Sequence, residues 1–258
     1  MPGCVGKVLK ILTAVSEGKN KPVSLAEISE ATGLPKSTCA RILSEMMYEG
    51  YVDQVSRQKG YKLGPAAYCL SRYGKYNSEL VEICHPILKW LHNKTDLCVG
   101  LAVIQNGRIF VIDCINTEPK TVTQEGEIYP EDVYYTPAGR IILANMSETQ
   151  LREIYEKNGI SMKKEWNDGI VPYDTLKGWL AEIDKKGVLE FGEPLVEGQV
   201  KWGGYGVAIY RYSSCVGALI ISVNDDNGTM EKAKANEEEI KRLMIKGRNE
   251  ISRRLTYE

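Results

Sequence analysis

Helix start and stop signals follow one another closely near the beginning of the chain and leave few folds open. Ser24 and Glu27 have the S-x-x-E spacing of a capping box, in which each side chain bonds to the other residue's backbone N–H. Gly33 suits the left-handed end of a helix, and Pro35 suits the first turn of the next one. The spacing therefore predicts a short helix, a tight turn at Gly33 and a second helix that ends at Tyr48.

A further helix precedes this pair, and a short hairpin follows it. Apolar residues recur at helical spacing in residues 5–17, which predicts an amphipathic helix. Residues 51–55 and 61–63 alternate apolar and polar side chains around a polar loop, which predicts two antiparallel strands. Helix, short helix, turn, helix and hairpin is the order of a winged helix-turn-helix, whose second paired helix enters the DNA major groove.

The second helix of the predicted pair carries polar and basic side chains on one face. Its first turn also offers backbone N–H groups that can bind a phosphate, and two cations at the hairpin tip can reach the DNA backbone or minor groove. The alternative, which these residues leave open, is a winged helix that contacts another protein. The candidate DNA-contacting residues are Ser24, Lys36, Ser37, Thr38, Arg41, Arg57 and Lys59.

The distribution of charge favours nucleic acid as the partner. The net charge is −1, but residues 1–75 carry eleven Lys and Arg against six Asp and Glu, so a basic end is joined to an acidic body. No apolar run approaches the roughly 20 residues of a membrane helix, and no secretory signal opens the chain. We therefore expect a soluble, cytoplasmic protein with no membrane partner.

Patterns typical of enzymes and metal sites are missing from the sequence. It contains no G-x-S-x-G, H-E-x-x-H, P-loop or G-x-G-x-x-G motif, and Asp113 and Glu190 are isolated acids. Cys84, His85 and His92 share one helical stretch, but adjacent helical side chains diverge, which argues against a metal site. The seven cysteines are scattered singly, and we interpret them as small buried hydrophobes. We predict no catalytic residue, no metal and no cofactor, and the alternative is an enzyme that acts on a small ligand.

The rest of the chain mixes helical and strand patterns. Asn106-Gly107 between two apolar runs is a strong hairpin signal, whereas the glycine-rich run 203–206 follows no clear strand. These patterns indicate a mixed domain on a largely antiparallel sheet. The predicted helices are 65–77, 78–93 (capped by Ser78), 136–145, 148–157, 173–186 (ended by Gly187) and 231–255, and the predicted strands are 97–105, 108–115, 207–212 and 216–224.

Five segments, in their order and spacing, resemble the IclR family of bacterial transcriptional regulators over nearly the whole chain. They are KVLKIL, LAEISEATGLPKSTCARIL with MMYEGYV, LVEICHPILKWLHNKTDLCVGLAVIQNGRIFVIDCI, TPAGRIILA and ALIISVND. The resemblance implies an α+β protein with a winged helix-turn-helix domain at 1–64, a linker helix at 65–77 and a GAF-like α/β effector-binding domain, with a mainly antiparallel sheet, at 78–258. It also implies homodimers formed through the N-terminal domain, often paired into tetramers.

The function implied by the resemblance is promoter binding under the control of a small-molecule effector. A symmetric dimer reads two half-sites, so we expect double-stranded DNA with a pseudo-palindromic operator. The resemblance places the effector between the loop before the TPAG helix and the late strands. The candidate effector-binding residues are Tyr135, Thr136, Ala138 and Gly139, then Ala208 or Ile209, and Ser222 and Asn224.

The chemistry of these residues suits an organic acid. A helix N-terminus attracts a carboxylate, and residues two apart on a strand share a face. The alternative is that Thr136 only caps its helix and that the strand residues bond to nearby backbone.

Two departures from the family pattern affect the expected ligand. The stretch GVAIYRYSS lacks a proline and an aspartate that family members often carry, and Pro137 lacks the N–H usually offered there. Aromatic residues near the site in sequence favour a larger or aromatic metabolite, although aromatic residues in strands are more often core. These residues are Tyr129, Tyr134, Tyr135, Trp202, Tyr205 and Tyr210.

Overall fold

The computed structural model of the protein describes residues 3–18, 21–72, 76–116, 128–129, 133–158, 171–186, 188–193, 202–224 and 228–257. The chain forms two compact units, Met1–Tyr76 and Asn77–Glu258. No helix in these described ranges is both long and apolar enough to cross a membrane.

The first unit is a winged helix-turn-helix, as the sequence predicts. Its core is closed by side chains from all three leading helices and the hairpin, among them Ile11, Ile28 and Leu43. Val23 adds a short bridge to the hairpin, since its N–H donates to the Tyr61 carbonyl at 2.7 Å. The elements are α1 (Cys4–Glu17), α2 (Leu25–Thr32), α3 (Lys36–Tyr48), β1 (Val52–Ser56), β2 (Gly60–Leu63) and α4 (Pro65–Arg72).

The second unit is a six-stranded antiparallel sheet covered by helices. The strand order is β5-β4-β3-β8-β7-β6, so β3 and β8 are central. The elements are α5 (Ser78–Thr95), β3 (Cys98–Gln105), β4 (Arg108–Ile115), β5 (Ile128–Tyr129), a 3₁₀ turn (Val133–Tyr135), α6 (Pro137–Ala144), α7 (Glu148–Asn158), α8 (Tyr173–Lys186), β6 (Leu189–Glu193), β7 (Trp202–Arg211), β8 (Ser214–Asn224), α9 (Thr229–Ala235) and α10 (Glu237–Tyr257).

Helices cover the sheet on both of its faces. Side chains of α5 and α10 pack on one face, around Leu101 and Leu219. Side chains of α6 and α8 pack on the other face, around Ala102 and Ala218. The apolar residues at successive positions of β3 are therefore buried on both sides, as the continuous apolar pattern predicts.

At the glycine-rich run, one predicted strand begins too late and another strand was not predicted. Gly203, Gly204 and Gly206 lie inside β7, which begins at Trp202 rather than at Val207, and the unpredicted strand β6 pairs with this early half. Glycines carry no side chain, so the alternation that marks a half-buried strand cannot be seen through them. The early half of β7 is therefore seen in the structure and not in the alternation of apolar and polar residues.

Three helix and cysteine predictions also need correction. Ser78 is the first helical residue of α5, and Asn77, which adopts a left-handed conformation, is the N-cap residue. The predicted long C-terminal helix is interrupted at Asn236 and forms α9 and α10. Cys4 and Cys69 are exposed rather than buried. Gly187, the predicted end of α8, lies outside the described residues.

Candidate DNA interface and effector site

The helix α2 is capped at both ends by the predicted residues. The Glu27 N–H donates to the Ser24 hydroxyl (3.3 Å), and the Ser24 N–H donates to the Glu27 carboxylate (2.7 Å), which lowers the pKa of Glu27. At the other end of α2, Gly33 has a φ of 65°. Because both polar groups of Ser24 have intramolecular partners, its observed role is that of a helix cap.

Three side chains that the sequence-based prediction missed hold the turn between α2 and α3. Ser29 Oγ donates to the Leu34 carbonyl at 2.7 Å, and Thr32 Oγ1 donates to the Ile28 carbonyl at 2.6 Å. The buried Cys39 thiol of α3 donates to the same Leu34 carbonyl at 3.7 Å. The Ser29 and Cys39 bonds meet at the Leu34 carbonyl and so tie α2 to the first turn of α3, whereas the Thr32 bond lies within α2.

The outer face of α3 is polar and accessible. Lys36, Ser37 and Arg41 are exposed and Thr38 is partly exposed. Pro35 is the N-cap residue of α3 and makes no side-chain cap, so the first-turn N–H groups are available to a phosphate. The structure therefore brings four of the predicted DNA-contacting residues together on one helix face.

An acidic residue shares this face with Arg41. Glu45 lies one helical turn further along α3, and its Oε1 accepts a hydrogen bond from Arg41 Nη1 at 2.9 Å. Both side chains are about two-thirds exposed, and an exposed pair of this kind stabilises the fold little. Arg41 is therefore able to exchange Glu45 for a base edge at small cost.

The hairpin tip carries the other two predicted cations. Arg57 and Lys59 are exposed in the turn between β1 and β2. The Lys59 N–H donates to Ser56 Oγ at 2.9 Å, which fixes the turn. The wing thus presents two positive charges on an ordered backbone.

In the second unit, the helix α6 begins as predicted at Thr136 and Pro137. The Thr136 hydroxyl accepts from the Gly139 N–H at 2.9 Å and donates to the Val133 carbonyl at 3.4 Å, so it is occupied as a cap. Pro137 has no N–H, and the Gly139 N–H is bonded to Thr136. Of the first three helical residues, Ala138 therefore has the N–H that the cap does not use.

The α6 face of the sheet is built from small residues arranged in rows across three strands. Residues that are paired in register share a face, and Ala102, Ala218 and Ala208 all belong to the core cluster that contains α6. The neighbouring rows on this face follow at every second position along the strands. From β3 through β8 to β7, the rows are Ala102–Ala218–Ala208, Gly100–Ile220–Gly206 and Cys98–Ser222–Gly204.

The N-terminal end of α6 points toward the row that contains Ser222. A Cβ atom on Gly206 would stand 3.1 Å from the Pro137 carbonyl oxygen, so the start of α6 lies over the Gly206 row. At the other end of α6, Asn145 accepts a hydrogen bond from the Tyr210 hydroxyl at 2.5 Å. The helix therefore runs from Gly206 toward Tyr210, and the Ser222 row lies about 7 Å beyond its start.

The structure separates some residues that the sequence-based prediction grouped. Of the alternatives Ala208 and Ile209, only Ala208 faces α6, because Ile209 is buried in the cluster of α5 and α10 on the opposite face. Of the two alternatives, the position of Ala208 is the one that suits a site beside α6. The side chains of Tyr135 and Asn224 lie outside the described residues.

The predicted aromatic grouping is divided in the same way. Tyr205 is buried on the face away from α6. Tyr134 is core, since its ring lies 5.7 Å from Trp179 and 4.5 Å from the Arg140 guanidinium. Arg140 Nε also donates to the Tyr134 carbonyl at 2.7 Å, which secures the 3₁₀ turn before α6. The side chains of Tyr129 and Trp202 lie outside the described residues.

Asp113 has a partner that the sequence did not reveal. Its carboxylate lies 3.0 Å from Nδ1 of His85, across the interface of β4 and α5. Burial, with the Asp113 charge adding to it, raises the pKa of the neighbouring Cys84 thiol to about 12. His92 Nδ1 is 2.8 Å from the Leu97 carbonyl. The described residues contain no cluster suited to hold a metal ion.

Comparison with family models identifies both units. Residues 5–56 match the IclR helix-turn-helix domain, and residues 76–248 match the C-terminal domain of the bacterial transcriptional regulator IclR. The chain belongs to the IclR family. The second match covers most of the unit that contains the α6 site, and the first covers α1 through β1.

Named relatives and solved structures agree with this assignment. The chain is 28% identical to the transcriptional repressor IclR of Escherichia coli over 59% of its own length and 56% of the relative's, and 30% identical to the regulator TtgV of Pseudomonas putida over 50% and 49%. It thus spans about half the length of these curated relatives.

Two solved structures share the fold over nearly the whole chain. Thermotoga maritima IclR is 25% identical, with a TM-score of 0.61 and 98% of each chain covered. An IclR homologue from Microbacterium hydrocarbonoxydans, complexed with 4-hydroxybenzoate, is 16% identical, with a TM-score of 0.64, over 98% of this chain and 99% of that one.

Proposed function

We propose that this protein is a DNA-binding transcriptional regulator whose promoter binding is controlled by a small-molecule effector. The exposed face of α3 carries the proposal, because an open first turn is followed by Arg41 on a helix that partly buried hydrogen bonds hold in place. This arrangement suits insertion into the major groove. We assign the protein to the cytoplasm, without a catalytic role or cofactor, since its relatives are named regulators.

Binding to the DNA upstream of its own gene, measured across a salt series, tests the proposal. We expect Arg41→Ala to lose about 1–3 kcal/mol on the operator and little on random DNA, because a lost base contact removes discrimination. Lys59→Ala should weaken both DNAs alike and reduce the salt slope by about one, because it removes a phosphate contact.

Arg242→Ala is the matched control for these variants, since Arg242 is an exposed, ion-paired arginine on α10 in the other unit. It should leave both DNA affinities unchanged. Binding without preference over random DNA would contradict sequence-specific regulation and would favour the protein-contact alternative.

We propose that the protein acts as a homodimer formed through its first unit. Val5 and Leu9 stand one turn apart on the outer face of α1 and are 72% and 57% exposed, and Leu70 of α4 is 61% exposed. Exposed large apolar side chains favour burial against a partner. Sedimentation should give a dimer or a dimer of dimers, and a monomer at DNA-binding concentrations would contradict the proposal.

We further propose that the effector is an organic acid or aromatic metabolite bound between the start of α6 and the Ser222 row. The positive end of the α6 dipole and the Ala138 N–H favour a carboxylate. Tyr135, Thr136, Gly139, Ala208 and Asn224 are proposed to complete the site, with Thr136 and Gly139 acting through the cap that they form.

Calorimetric titration with a panel of carboxylic acids that includes 4-hydroxybenzoate tests this site. Ser222→Ala should weaken binding of the acid that responds. Ser214→Ala, an exposed serine at the other end of the same strand, should not. Equal loss in both variants, or none in either, would contradict the assignment of Ser222.

A further inference from the structure

Two of the seven cysteines lie side by side in the second unit. Cys98 begins β3 and Cys114 lies near the end of β4, and their Sγ atoms are 3.5 Å apart. Cys114 is paired with Gly100 in the antiparallel register, so the two cysteines are diagonal neighbours on the α6 face of the sheet. The S–S bond of a disulfide is about 2.05 Å long, so the two sulfur atoms must move about 1.5 Å closer together to form it.

The two thiols differ in access. Cys98 is 5% exposed, whereas Cys114 is partly exposed. An oxidant therefore reaches Cys114 first, and Cys98 is then within contact distance of the modified sulfur. This is the arrangement of a reactive cysteine beside a resolving cysteine.

Two other thiols of the same unit, Cys84 and Cys215, are poorly suited to react. Burial raises the pKa of Cys84 to about 12 and that of Cys215 to about 11, so both remain protonated near neutral pH. The thiolate is the nucleophile in thiol oxidation. Cys98 and Cys114 are set apart from them by position, since each has the sulfur of the other within 3.5 Å.

We propose that Cys98 and Cys114 form a redox modification site that a peroxide converts to a disulfide. The Cys114 thiolate attacks the peroxide, the O–O bond breaks, and Cys114 becomes a sulfenic acid while an alkoxide or hydroxide leaves and takes up a proton. Cys98 then attacks the Cys114 sulfur, the S–S bond forms, and hydroxide leaves and is protonated to water. The two thiols together supply the two electrons that reduce the peroxide.

The site lies next to the proposed effector pocket. Cys98 is paired in register with Ser222, in the row that the start of α6 points toward. Closing the disulfide draws the Cys98 sulfur toward β4 and joins β3 to β4 at this level. We infer that oxidation changes effector affinity, and this consequence rests on the proposed effector site, whereas disulfide formation does not.

Oxidation of the full-length chain with hydrogen peroxide tests the modification directly. The exposed Cys4 and Cys69 are first replaced by serine, which leaves five thiols. Trypsin separates Cys98 and Cys114, because it cleaves after Lys94, Arg108 and Lys120. We expect titratable thiols to fall from five to three, and peptides 95–108 and 109–120 to be recovered as one cross-linked species that dithiothreitol splits.

Matched variants make the result specific. Cys98→Ser and Cys114→Ser should each abolish the cross-linked species, and Cys215→Ser should leave it intact. If Cys114 is instead converted to sulfinic acid with no cross-link, or if both peptides stay reduced while Cys4 and Cys69 of the wild-type chain are oxidised, the proposal is overturned.

Titration of the oxidised and reduced protein with the responding acid separates the two proposals. A cross-link that shifts the affinity supports both of them. A cross-link that leaves the affinity unchanged supports the modification and overturns the placement of the effector beside Cys98.

Discussion

Replacing Gly139 with alanine should destabilise the second unit, because the added Cβ atom would overlap neighbouring backbone. A Cβ atom on Gly139 would stand 1.6 Å from the Val133 carbonyl oxygen and 2.7 Å from Cδ1 of Ile109. Carbon and oxygen in contact stand about 3.3 Å apart, so α6 and the 3₁₀ turn must separate by well over an ångström. The obstacle is backbone, which cannot rotate away as a flexible side chain does.

The expected loss is about 2 kcal/mol. Overpacking of a close-packed site costs about 1–3 kcal/mol, and this contact belongs at the upper end. The better helix propensity of alanine offsets up to about 1 kcal/mol. In a unit of this size, each kcal/mol of lost unfolding free energy lowers the melting temperature by about 2–4 °C. The Gly139→Ala protein should therefore melt about 4–8 °C below the wild type.

Gly178→Ala is the matched control for this substitution. Gly178 lies within α8, and a Cβ atom there would meet nothing within 4 Å. Alanine should therefore stabilise the helix by about 1 kcal/mol and raise the melting temperature by about 2–4 °C. The same exchange is thus predicted to act in opposite directions at two helical sites.

Tryptophan fluorescence during thermal unfolding measures the effects of both glycine substitutions on the second unit. All four tryptophans, Trp90, Trp166, Trp179 and Trp202, lie in residues 77–258, so the signal does not report unfolding of the first unit. A Gly139→Ala protein that melts at or above the wild-type temperature would refute the packing of α6 on the Val133 turn, and with it the geometry of the effector site.

Two further predictions concern caps and ion pairs. Ser24→Ala should destabilise the first unit by about 1 kcal/mol, measured by urea denaturation followed by circular dichroism. Ser24→Asp should lose much less, because an aspartate side chain can also cap α2. Equal loss of stability in both variants would contradict the cap. Hydrogen bonds from Arg253 and Arg254 lower the pKa of Glu250 to about 2, so its stabilising contribution is present above its ordinary pKa of 4.5 and is lost as pH falls toward 2. Glu250→Gln should therefore reduce the fall in melting temperature over that pH interval, and an unchanged acid profile would count against the ion pairs.

The first unit could be predicted almost completely because its signals are local. Ser24 with Glu27, and Gly33, define the ends of α2 through bonds between residues three positions apart. Pro35 marks the start of α3 through its fixed backbone angle, and the hairpin follows within a few residues. The predicted ends of α2 are those observed, and α3 begins one residue later than predicted. What the sequence did not reveal here are Ser29, Thr32 and Cys39, whose bonds hold the turn but match no capping pattern.

The second unit was less predictable because its site is assembled from distant strands. The sequence predicts a hairpin turn at Asn106-Gly107, and in the structure both residues have the positive φ that such a turn needs. It cannot indicate that Cys98 lies beside Cys114, which depends on the register of β3 with β4, or that Asp113 meets His85 across a helix–sheet interface. A one-residue change of register moves a side chain to the other face, which is also why Ala208 and Ile209 could not be separated in advance.

The two faces of the central sheet differ in how much they contribute to stability. On the face under α5 and α10, Leu101, Leu219 and Val207 form a row of large apolar side chains, whereas the next row on the α6 face is three alanines. Apolar burial stabilises in proportion to area, at about 25 cal/mol per Å², so the α5 and α10 face contributes more to the fold. The small residues let α6 approach the strands closely. The proposed effector site and the proposed disulfide both lie on this face, so we expect them to act on α6 and β3 rather than on the larger apolar core under α5 and α10.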